Sequence, residues 1–248
     1  MHEDSSVDKK KLEFRIRVHE KYSKYDINEW IFNIIKIKGD ESILDVGCGT
    51  GKQLIPITEK TRGLVVGVDI SKESLDYTKG ALKNKNSNVK LILSSIEGMY
   101  DLLKNFPNFD IIISCFAIYY SKDPKETLLR FKKLLKYNGR VFLCGPSVNN
   151  NKALLELHGK VKELPKMHKG FFENFAIKFL RRNFKKVEIY KFQNPVTFPD
   201  VESLAQYWLS YSIGDRNKLS KFKRVAQEHF RDGAFTTVKE VVGVLAVK

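Results

Sequence analysis

A glycine-rich stretch beginning at residue 47 is the first feature of the sequence that could do chemistry. It reads Asp45-Val46-Gly47-Cys48-Gly49-Thr50-Gly51-Lys52 and follows a run of apolar residues. Glycines let the backbone turn tightly and come close to a ligand, because no side chain stands in the way. A dinucleotide fingerprint would need glycine in place of Lys52, and a P-loop would need Ser or Thr in place of Gln53. The spacing therefore predicts close approach by a ligand that has no pyrophosphate.

An acidic residue, Asp69, ends the next apolar run, eighteen residues after Gly51. A carboxylate at the tip of a second strand is placed to accept hydrogen bonds from two ribose hydroxyls, and it disfavours a ribose 2′-phosphate. Alone, the glycine loop could be a structural turn and Asp69 a helix cap. In register within one strand–helix–strand unit, they indicate a ligand that carries a ribose.

Cysteines and histidines give no metal-ligand pattern. The three cysteines (Cys48, Cys115 and Cys144) form no CxxC, and the five histidines form no HxH or HxxxH. We therefore expect no metal site and no disulfide framework. Cys48 and Cys115 are predicted to be buried packing residues rather than nucleophiles.

Strand and helix signals alternate around these residues. Predicted strands are Ser42–Val46, Leu64–Asp69, Val89–Leu93, Phe109–Ser114, Arg140–Cys144, Lys186–Phe192 and Thr237–Lys248. Predicted helices are Lys9–Ile37, Lys52–Lys60, Ser74–Leu82 after an N-cap at Ser71, Lys125–Lys136 closed by Asn138-Gly139, Phe171–Arg182, Val201–Tyr211 and Lys218–Phe230. Strands separated by helices predict an α/β fold, in which a parallel sheet is covered on both faces.

The motifs resemble those of the class I S-adenosylmethionine-dependent methyltransferases. Ile43–Gly51 (ILDVGCGTG) and Val68–Ser71 resemble motifs I and II, and the similarity continues through Leu91–Glu97, Phe109–Ile112 and Leu134–Arg140. It spans residues 40–146. Segments 17–23, 204–211 and 232–234, with Trp30, more loosely resemble a branch of small bacterial members with no general substrate.

The resemblance implies a Rossmann-like, doubly wound sheet of seven strands with an antiparallel last strand. It also implies a single domain over residues 1–248. In that domain 1–37 form a helical lid, 38–147 the cofactor-binding core, 148–236 a substrate-covering region with a helical insertion, and 237–248 the last strand.

Site roles also follow from the resemblance. S-adenosylmethionine would be the cofactor and S-adenosylhomocysteine the product. Gly47, Cys48 and Gly49 would lie against the methionine moiety and ribose, with Asp45 ordering the loop or meeting the amino group. Asp69 would bind the ribose hydroxyls. The remaining predicted contacts are Ile70, Ser95 and Ile96 at the adenine, Cys115 and Phe116 at the methyl-donor end, and Tyr22 from the lid.

Two positions depart from the family pattern. Ser95 stands where the family usually has Asp, and a serine accepts a hydrogen bond from the adenine amino group without charge assistance. Tyr137-Asn138 replaces Lys-Pro in a turn, with no expected effect on chemistry.

No catalytic base is evident, and Tyr22, Tyr119 and His158 are weak candidates. Tyr25, Tyr120 and His168 are further candidates over the pocket. For the tyrosines, packing in an aromatic face is the competing interpretation; for the histidines, it is a structural or surface role. A carboxylate or thiolate acceptor would need no base, whereas a hydroxyl or ammonium acceptor would benefit from one.

The chain is basic, with 44 Lys and Arg against 29 Asp and Glu in 248 residues. Base reading and bidentate phosphate contacts favour arginine, but most of the basic residues are lysines spread along the chain. A solvated basic surface is therefore favoured, with an acidic small molecule, an acyl-carrier-like partner or nucleic acid as alternatives.

The favoured function is a methyltransferase acting on an oxygen or nitrogen of a small-molecule metabolite. An RNA or protein methyltransferase and a non-catalytic cofactor binder are the alternatives. We expect a monomer or homodimer. With neither a signal peptide nor a transmembrane segment predicted, we also expect a cytoplasmic protein without membrane attachment.

Overall fold

The computed structural model describes residues 9–83, 88–163, 170–230 and 233–248. Predicted features at residues 1–8, His168 and Asp232 lie outside the described residues. None of the helices in these ranges has the length and apolar character needed to span a bilayer.

Seven strands form one sheet, and its central strands come from runs of buried apolar residues. The strands are β1 Ile43–Val46, β2 Val65–Asp69, β3 Val89–Leu93, β4 Phe109–Cys115, β5 Leu135–Pro146, β6 Lys186–Phe198 and β7 Phe235–Val247. β1 is buried along its whole length, as expected for a strand covered on both faces.

The strand order is β3-β2-β1-β4-β5-β7-β6. β1 pairs in parallel with β2 and β4, β2 with β3, and β4 with β5. The last strand is antiparallel: Lys248 N bonds Gly139 O near the start of β5, and Ser147 N bonds Glu240 O just beyond its end. The predicted α/β sheet of seven strands with an antiparallel last strand is confirmed.

Ten α-helices lie in the described ranges. They are α1 Lys9–Tyr22, α2 Ile27–Ile35, α3 Leu54–Lys60, α4 Lys72–Ala81, α5 Met99–Leu103, α6 Pro124–Leu134, α7 Lys152–Gly159, α8 Ile177–Asn183, α9 Val201–Leu209 and α10 Leu219–Gln227. Short 3₁₀ turns occur at Ile118–Tyr120 and Arg216–Lys218, and a π-helical turn, Phe171–Ala176, precedes α8. The short helices α5 and α7 are not among the helices predicted from the sequence.

The single helix predicted over Lys9–Ile37 is wrong, because the chain breaks between α1 and α2. The backbone N–H groups of Lys24 and Tyr25 both donate to Oδ1 of Asn194, at 3.0 Å each. Asn194 returns a bond from its Nδ2 to the Tyr25 carbonyl at 2.7 Å. A side chain from a distant part of the chain thus takes the donors that would continue the helix.

The predicted boundary after α6 is also wrong. The helix ends at Leu134 rather than Lys136, and Leu135 already pairs with Phe109 of β4. Asn138 adopts the left-handed conformation at φ 59°. Asn138-Gly139 therefore lies in an irregular start of β5, not at the end of a helix.

The chain divides into two compact units. The first unit contains Met1–Ile27, Ser147–Lys169 and Phe192–Val241, and the second contains Asn28–Pro146, Gly170–Lys191 and Val242–Lys248. The core of the first unit is built around Tyr207, Trp208 and Phe222, and that of the second around the strands of the parallel sheet. The single-domain organisation with a lid and a covering region stays a prediction.

Candidate functional site

The glycine loop after β1 has the conformation that its sequence predicts. Gly47, Gly49 and Gly51 have φ of 76°, 52° and 81°, a region that side-chain-bearing residues rarely adopt. A Cβ on Gly47 would lie 2.2 Å from the Cβ of Ala117, so this glycine is required for packing. A Cβ on Gly49 would meet no atom within 4 Å, which leaves open space where a ligand could approach the backbone.

Asp69, at the end of β2, organises this loop. Its Oδ2 accepts from Gly49 N and its Oδ1 from Ser71 N, each at 2.8 Å. Each carboxylate oxygen has further lone-pair capacity. Asp69 can therefore hold the loop and still accept hydrogen bonds from two ligand hydroxyls.

Helix α4, which follows Asp69, also contacts the loop. The predicted N-cap of this helix is present, because Ser71 Oγ accepts from Ser74 N at 3.2 Å. Thr78, about two turns along α4, donates from Oγ1 to the Gly49 carbonyl at 3.1 Å. Hydrogen bonds therefore hold the loop through both the N–H and the carbonyl of Gly49.

Asn28, on α2, supports the loop from the other side, and it is not among the site residues predicted from the sequence. Its Nδ2 donates to the Lys52 carbonyl at 3.0 Å, and its Oδ1 accepts from Gln53 Nε2 at 2.9 Å. Residues 24 positions apart in a chain give no local signal, so only the three-dimensional fold shows this pair.

Asp45 is the buried carboxyl group of the site. It is 1% exposed, and its Oδ2 has no hydrogen-bond partner among the described residues. Desolvation, and secondly the charge of Asp69, raise the pKa of Asp45 to about 8. A buried carboxylate without a donor is costly, and a cationic ligand group would relieve that cost.

The predicted adenine contacts lie at the adjacent strand ends. Ile70 is 70% exposed and Leu93, the last residue of β3, is 53% exposed. The two strands meet here, because Leu93 pairs with Asp69 and Ser94 N bonds the Asp69 carbonyl at 3.0 Å. These side chains form an exposed apolar edge beside the Asp69 carboxylate, as a stacked base would need.

Ser95 already has a local role. Its Oγ accepts from Gly98 N at 3.1 Å, at the start of the turn that leads into α5. The hydroxyl therefore has less acceptor capacity left than a carboxylate would have. Ile96, beside it, packs partly buried against the core of the second unit.

The end of β4 carries a residue with left-handed backbone, Phe116, and the buried thiol of Cys115, and a second buried thiol, Cys48, lies in the glycine loop. Phe116 has φ 58°, and its N–H bonds the Cys144 carbonyl at 2.8 Å. Burial raises the pKa of the Cys48 thiol, and the contact with Cys144 together with burial raises that of Cys115. Neither cysteine is therefore suited to act as a nucleophile.

The three weak base candidates occupy different surroundings. Tyr119, in the second unit, packs against Tyr120 and Phe171, with ring centroids 4.6 and 6.3 Å away. His158, in the first unit, is buried, and its Nδ1 accepts from Trp208 Nε1 at 3.0 Å. Burial lowers the pKa of His158, so its ring is a neutral structural partner of the tryptophan.

Tyr22 also lies in the first unit. Its hydroxyl is 3.3 Å from Ser203 Oγ and its ring centroid is 5.5 Å from that of Phe198. The hydrogen bond with Ser203, and secondly the one with Lys21, lower the pKa of Tyr22. The other ten predicted cofactor contacts all belong to the second unit.

A methyltransferase-domain family model matches residues 37–197. Aklanonic acid methyltransferase DauC of Streptomyces is 29% identical over 111 residues, which are 43% of this chain and 48% of the relative. The tRNA U34 carboxymethyltransferase of Helicobacter acinonychis is 31% identical over 108 residues, covering 42% and 40%. These matches span about half or less of the length of each relative.

Solved structures share the fold over most of the chain. The YcgJ protein of Bacillus subtilis superimposes with a TM-score of 0.62 at 15% identity, covering 89% of this chain and 97% of that one. The plantazolicin methyltransferase BpumL, solved in complex with a triazolic desmethylPZN analogue and S-adenosylhomocysteine, superimposes with a TM-score of 0.55 at 13% identity, covering 98% of this chain and 93% of that one.

Proposed function

The chain belongs to the methyltransferase-domain family of class I S-adenosylmethionine-dependent enzymes, and from this premise we propose that it methylates an oxygen or nitrogen of a small molecule. The observation that carries the cofactor assignment is Asp45, a fully buried carboxylate with an oxygen that no described residue satisfies. It lies two residues before the first glycine of an open loop. The amino group of a methionine moiety is a hydrogen-bond donor whose positive charge is opposite to that of the carboxylate.

The other residues of the site fit the rest of the cofactor. Asp69 has lone pairs for the two ribose hydroxyls, Gly49 leaves room beside the backbone, and Ile70 offers an exposed apolar face for the adenine. When bound, S-adenosylmethionine supplies a methyl group already activated by the sulfonium. The task of the protein is then to hold the donor, to orient the acceptor and to exclude water.

Several lysines in the C-terminal half have local partners, which favours a small-molecule acceptor over nucleic acid. Lys223 pairs with Glu202, and Lys162 pairs with Asp215 at 3.2 Å. Lys221 donates to the Val161 carbonyl at 3.1 Å. The segment at the end of β4 also reads Ser114-Cys115-Phe116-Ala117, which is not the Asn/Asp-Pro-Pro-Tyr/Phe motif that resembles methylation of base amino groups.

Calorimetric titration with S-adenosylmethionine, S-adenosylhomocysteine and NAD tests the cofactor assignment. We expect micromolar binding of both sulfur nucleosides and none of NAD. Absence of binding by either sulfur nucleoside would overturn the assignment.

A second titration separates the acceptor classes. Binding of a mixed tRNA pool is measured between 50 and 200 mM salt, because phosphate contacts make affinity fall steeply with ionic strength. We expect no saturable binding at 200 mM salt. Tight binding that falls steeply with salt and saturates with a fixed stoichiometry would favour the RNA methyltransferase alternative.

A further inference from the structure

The first unit contains a cavity of about 390 Å³ that the cofactor assignment leaves unused. Its lining residues are Ala153, Glu156, Leu157, Lys160, His229 and Phe235, none of which is a predicted cofactor contact. All of them belong to the first unit, so the cavity lies inside one compact part of the chain. Small-molecule sites have volumes of about 300–1,000 Å³, so the cavity is large enough for a ligand the size of an amino acid.

Part of the cavity lining is apolar. Leu157 on α7 and Phe235 at the start of β7 are buried, and Ala153, one turn before Leu157, is half-buried. The ring of Phe230 lies 6.0 Å from that of Phe235 and extends the aromatic surface behind it. Moving an apolar group from water against such side chains is favourable. This part of the lining therefore fits an aliphatic or aromatic group of a ligand.

A histidine fixes the position of the lysine at the cavity. His229 Nδ1 lies 2.8 Å from the Val225 carbonyl oxygen, which can only accept, so Nδ1 is the donor of this bond. His229 Nε2 therefore accepts from Lys160 Nζ, which lies 2.7 Å away. Both ring nitrogens are occupied within the protein. The Lys160 ammonium is held in place and keeps its remaining N–H donors for a ligand.

Glu156 supplies a negative charge at the same cavity. It is exposed on the face of α7 that Lys160 shares, four residues before that lysine. A glutamate and a lysine at this spacing commonly pair, but Lys160 bonds His229 instead. The Glu156 carboxylate makes no hydrogen bond or ion pair with any other residue in the described part of the chain. The cavity thus offers an ammonium to an anionic group and a carboxylate to a cationic group.

We propose that this cavity binds an apolar α-amino acid. The ligand carboxylate accepts from Lys160, and the ligand ammonium donates to Glu156. The ligand side chain lies against Leu157 and Phe235. A ligand with one charge leaves one of the two protein charges without a partner, and a ligand without an apolar group leaves the apolar lining in contact with water. The site goes beyond the proposed methyltransferase function and does not depend on it.

Four matched probes test the chemistry of the ligand. Phenylalanine has both charges and an apolar group, 3-phenylpropanoate lacks the ammonium, 2-phenylethylamine lacks the carboxylate, and glycine lacks the apolar group. Each is titrated into the full chain, and the leucine methyl signals are followed by nuclear magnetic resonance. The Leu157 signal is identified by its loss in Leu157→Met, which conserves volume.

We expect phenylalanine to bind saturably and to shift the Leu157 signal, and the other three probes to bind about 10-fold more weakly or less. Absence of saturable phenylalanine binding overturns the proposal. A singly charged probe that binds as tightly as phenylalanine overturns it as well, because the two protein charges would then not be used.

Two charge variants test which protein group meets which ligand group. In Lys160→Gln, phenylalanine should bind no more tightly than 2-phenylethylamine, because its carboxylate has lost the ammonium. In Glu156→Gln, it should bind no more tightly than 3-phenylpropanoate. Lys152→Gln, at an exposed position on α7 outside the cavity lining, is the control and should keep both preferences. Preferences that survive in Lys160→Gln and Glu156→Gln overturn the assignment of these residues.

A steric variant tests the location without removing either charge. Ala153→Phe places a large side chain in the cavity and should abolish phenylalanine binding, and a Tm close to that of the wild type shows that the variant is folded. Normal phenylalanine binding in this variant overturns the proposal.

Titration of the same samples with S-adenosylhomocysteine separates this site from the proposed function. If S-adenosylhomocysteine binds and phenylalanine does not, only the amino-acid site falls. If phenylalanine binds with the expected preferences and S-adenosylhomocysteine does not, the amino-acid site stands and the proposed function falls.

Discussion

Two carboxylates of the second unit, Asp45 and Asp69, are the same residue type but have different roles because their surroundings differ. Asp69 accepts two backbone hydrogen bonds and keeps lone pairs for a ligand. Asp45 is buried, and its Oδ2 has no partner among the described residues. Asp69 shapes the loop, whereas Asp45 is suited to meet a positive charge.

We expect Asp69→Asn to weaken binding of S-adenosylhomocysteine about 10- to 100-fold, because hydrogen bonds to a charged acceptor contribute about 1.5–3 kcal/mol. Calorimetric titration measures the change. Asp76→Asn, an exposed position on α4, is the matched control and should bind like the wild type. Equal affinities in the two variants would remove Asp69 from the site.

We expect Asp45→Asn to stabilise the cofactor-free protein at alkaline pH. The pKa of Asp45 is about 8 in the folded protein and 3.8 as its ordinary value, so the folded state binds the extra proton between those values. Wild-type stability therefore falls as pH rises from about 4 to about 8, by at most about 1.4 kcal/mol per pH unit, and then levels off.

Thermal unfolding at pH 5, 7 and 9 checks this prediction. The Tm advantage of Asp45→Asn should grow from pH 5 to pH 8 and stay constant above, while its cofactor affinity falls. Asp101→Asn, on the exposed face of α5, should follow the wild type at every pH. A Tm difference independent of pH would show that Asp45 is not a desolvated acid.

At the scale of elements, the positions of the strands could be predicted more fully than the helix boundaries that depend on tertiary contacts. β1, β2 and β4 are buried apolar runs that end in glycine, acid or small residues, so periodicity and turn chemistry locate them. The break after α1 could not be predicted, because its cause is Asn194, about 170 residues away. The short helices α5 and α7 were missed because neither has a long periodic pattern.

Two neighbouring glycines of the loop should respond differently to alanine. Gly47→Ala places a Cβ 2.2 Å from Ala117 and should lower Tm, because the end of β4 must shift. Gly49→Ala has free space and should fold with a left-handed penalty of about 1–2 kcal/mol, but its Cβ occupies the ligand's approach.

Paired measurements of Tm and cofactor affinity test this difference. Gly80→Ala, inside α4 with no neighbour within 4 Å, is the control and should gain about 1 kcal/mol without loss of binding. Normal cofactor affinity in Gly49→Ala would mean that the open space beside the loop is not used.

We expect Asn194→Ala to lower the free energy of unfolding by about 2–3 kcal/mol. The variant leaves the N–H groups of Lys24 and Tyr25 without their acceptor, and each lost hydrogen bond costs about 1 kcal/mol or more. Urea titration measures the change, with exposed Lys191→Ala on β6 as the control. A loss below 0.5 kcal/mol would show that Asn194 does not hold the break.

At the scale of the whole molecule, the sequence predicted the sheet but not the hydrogen bonds that join His19, Tyr207, Tyr211 and Asn151 in the first unit. The cofactor contacts follow strand ends, where local pattern and family resemblance coincide. These four residues of the first unit come from three separate segments of the chain. No spacing rule brings those segments together, so only the fold shows these contacts.

The two tryptophans report on the two units separately, because Trp30 lies in the second and Trp208 in the first. In Trp208→Phe, fluorescence follows Trp30 alone. We expect saturating S-adenosylhomocysteine to raise its unfolding free energy by about 2.7 kcal/mol at 100 times Kd. NAD is the control ligand, and an unchanged Trp30 transition with S-adenosylhomocysteine would place the site outside the second unit.

Each unit is assembled from three stretches of chain, and β6 and β7 pass from one unit into the other. A single recombination point between two related genes therefore cannot exchange either unit intact. A crossover inside the first or second stretch of either unit leaves a core whose parts come from two different parent proteins. Chimeras made to transplant the first unit must carry Ser147–Lys169 and Phe192–Val241 together with the segment that ends at Ile27.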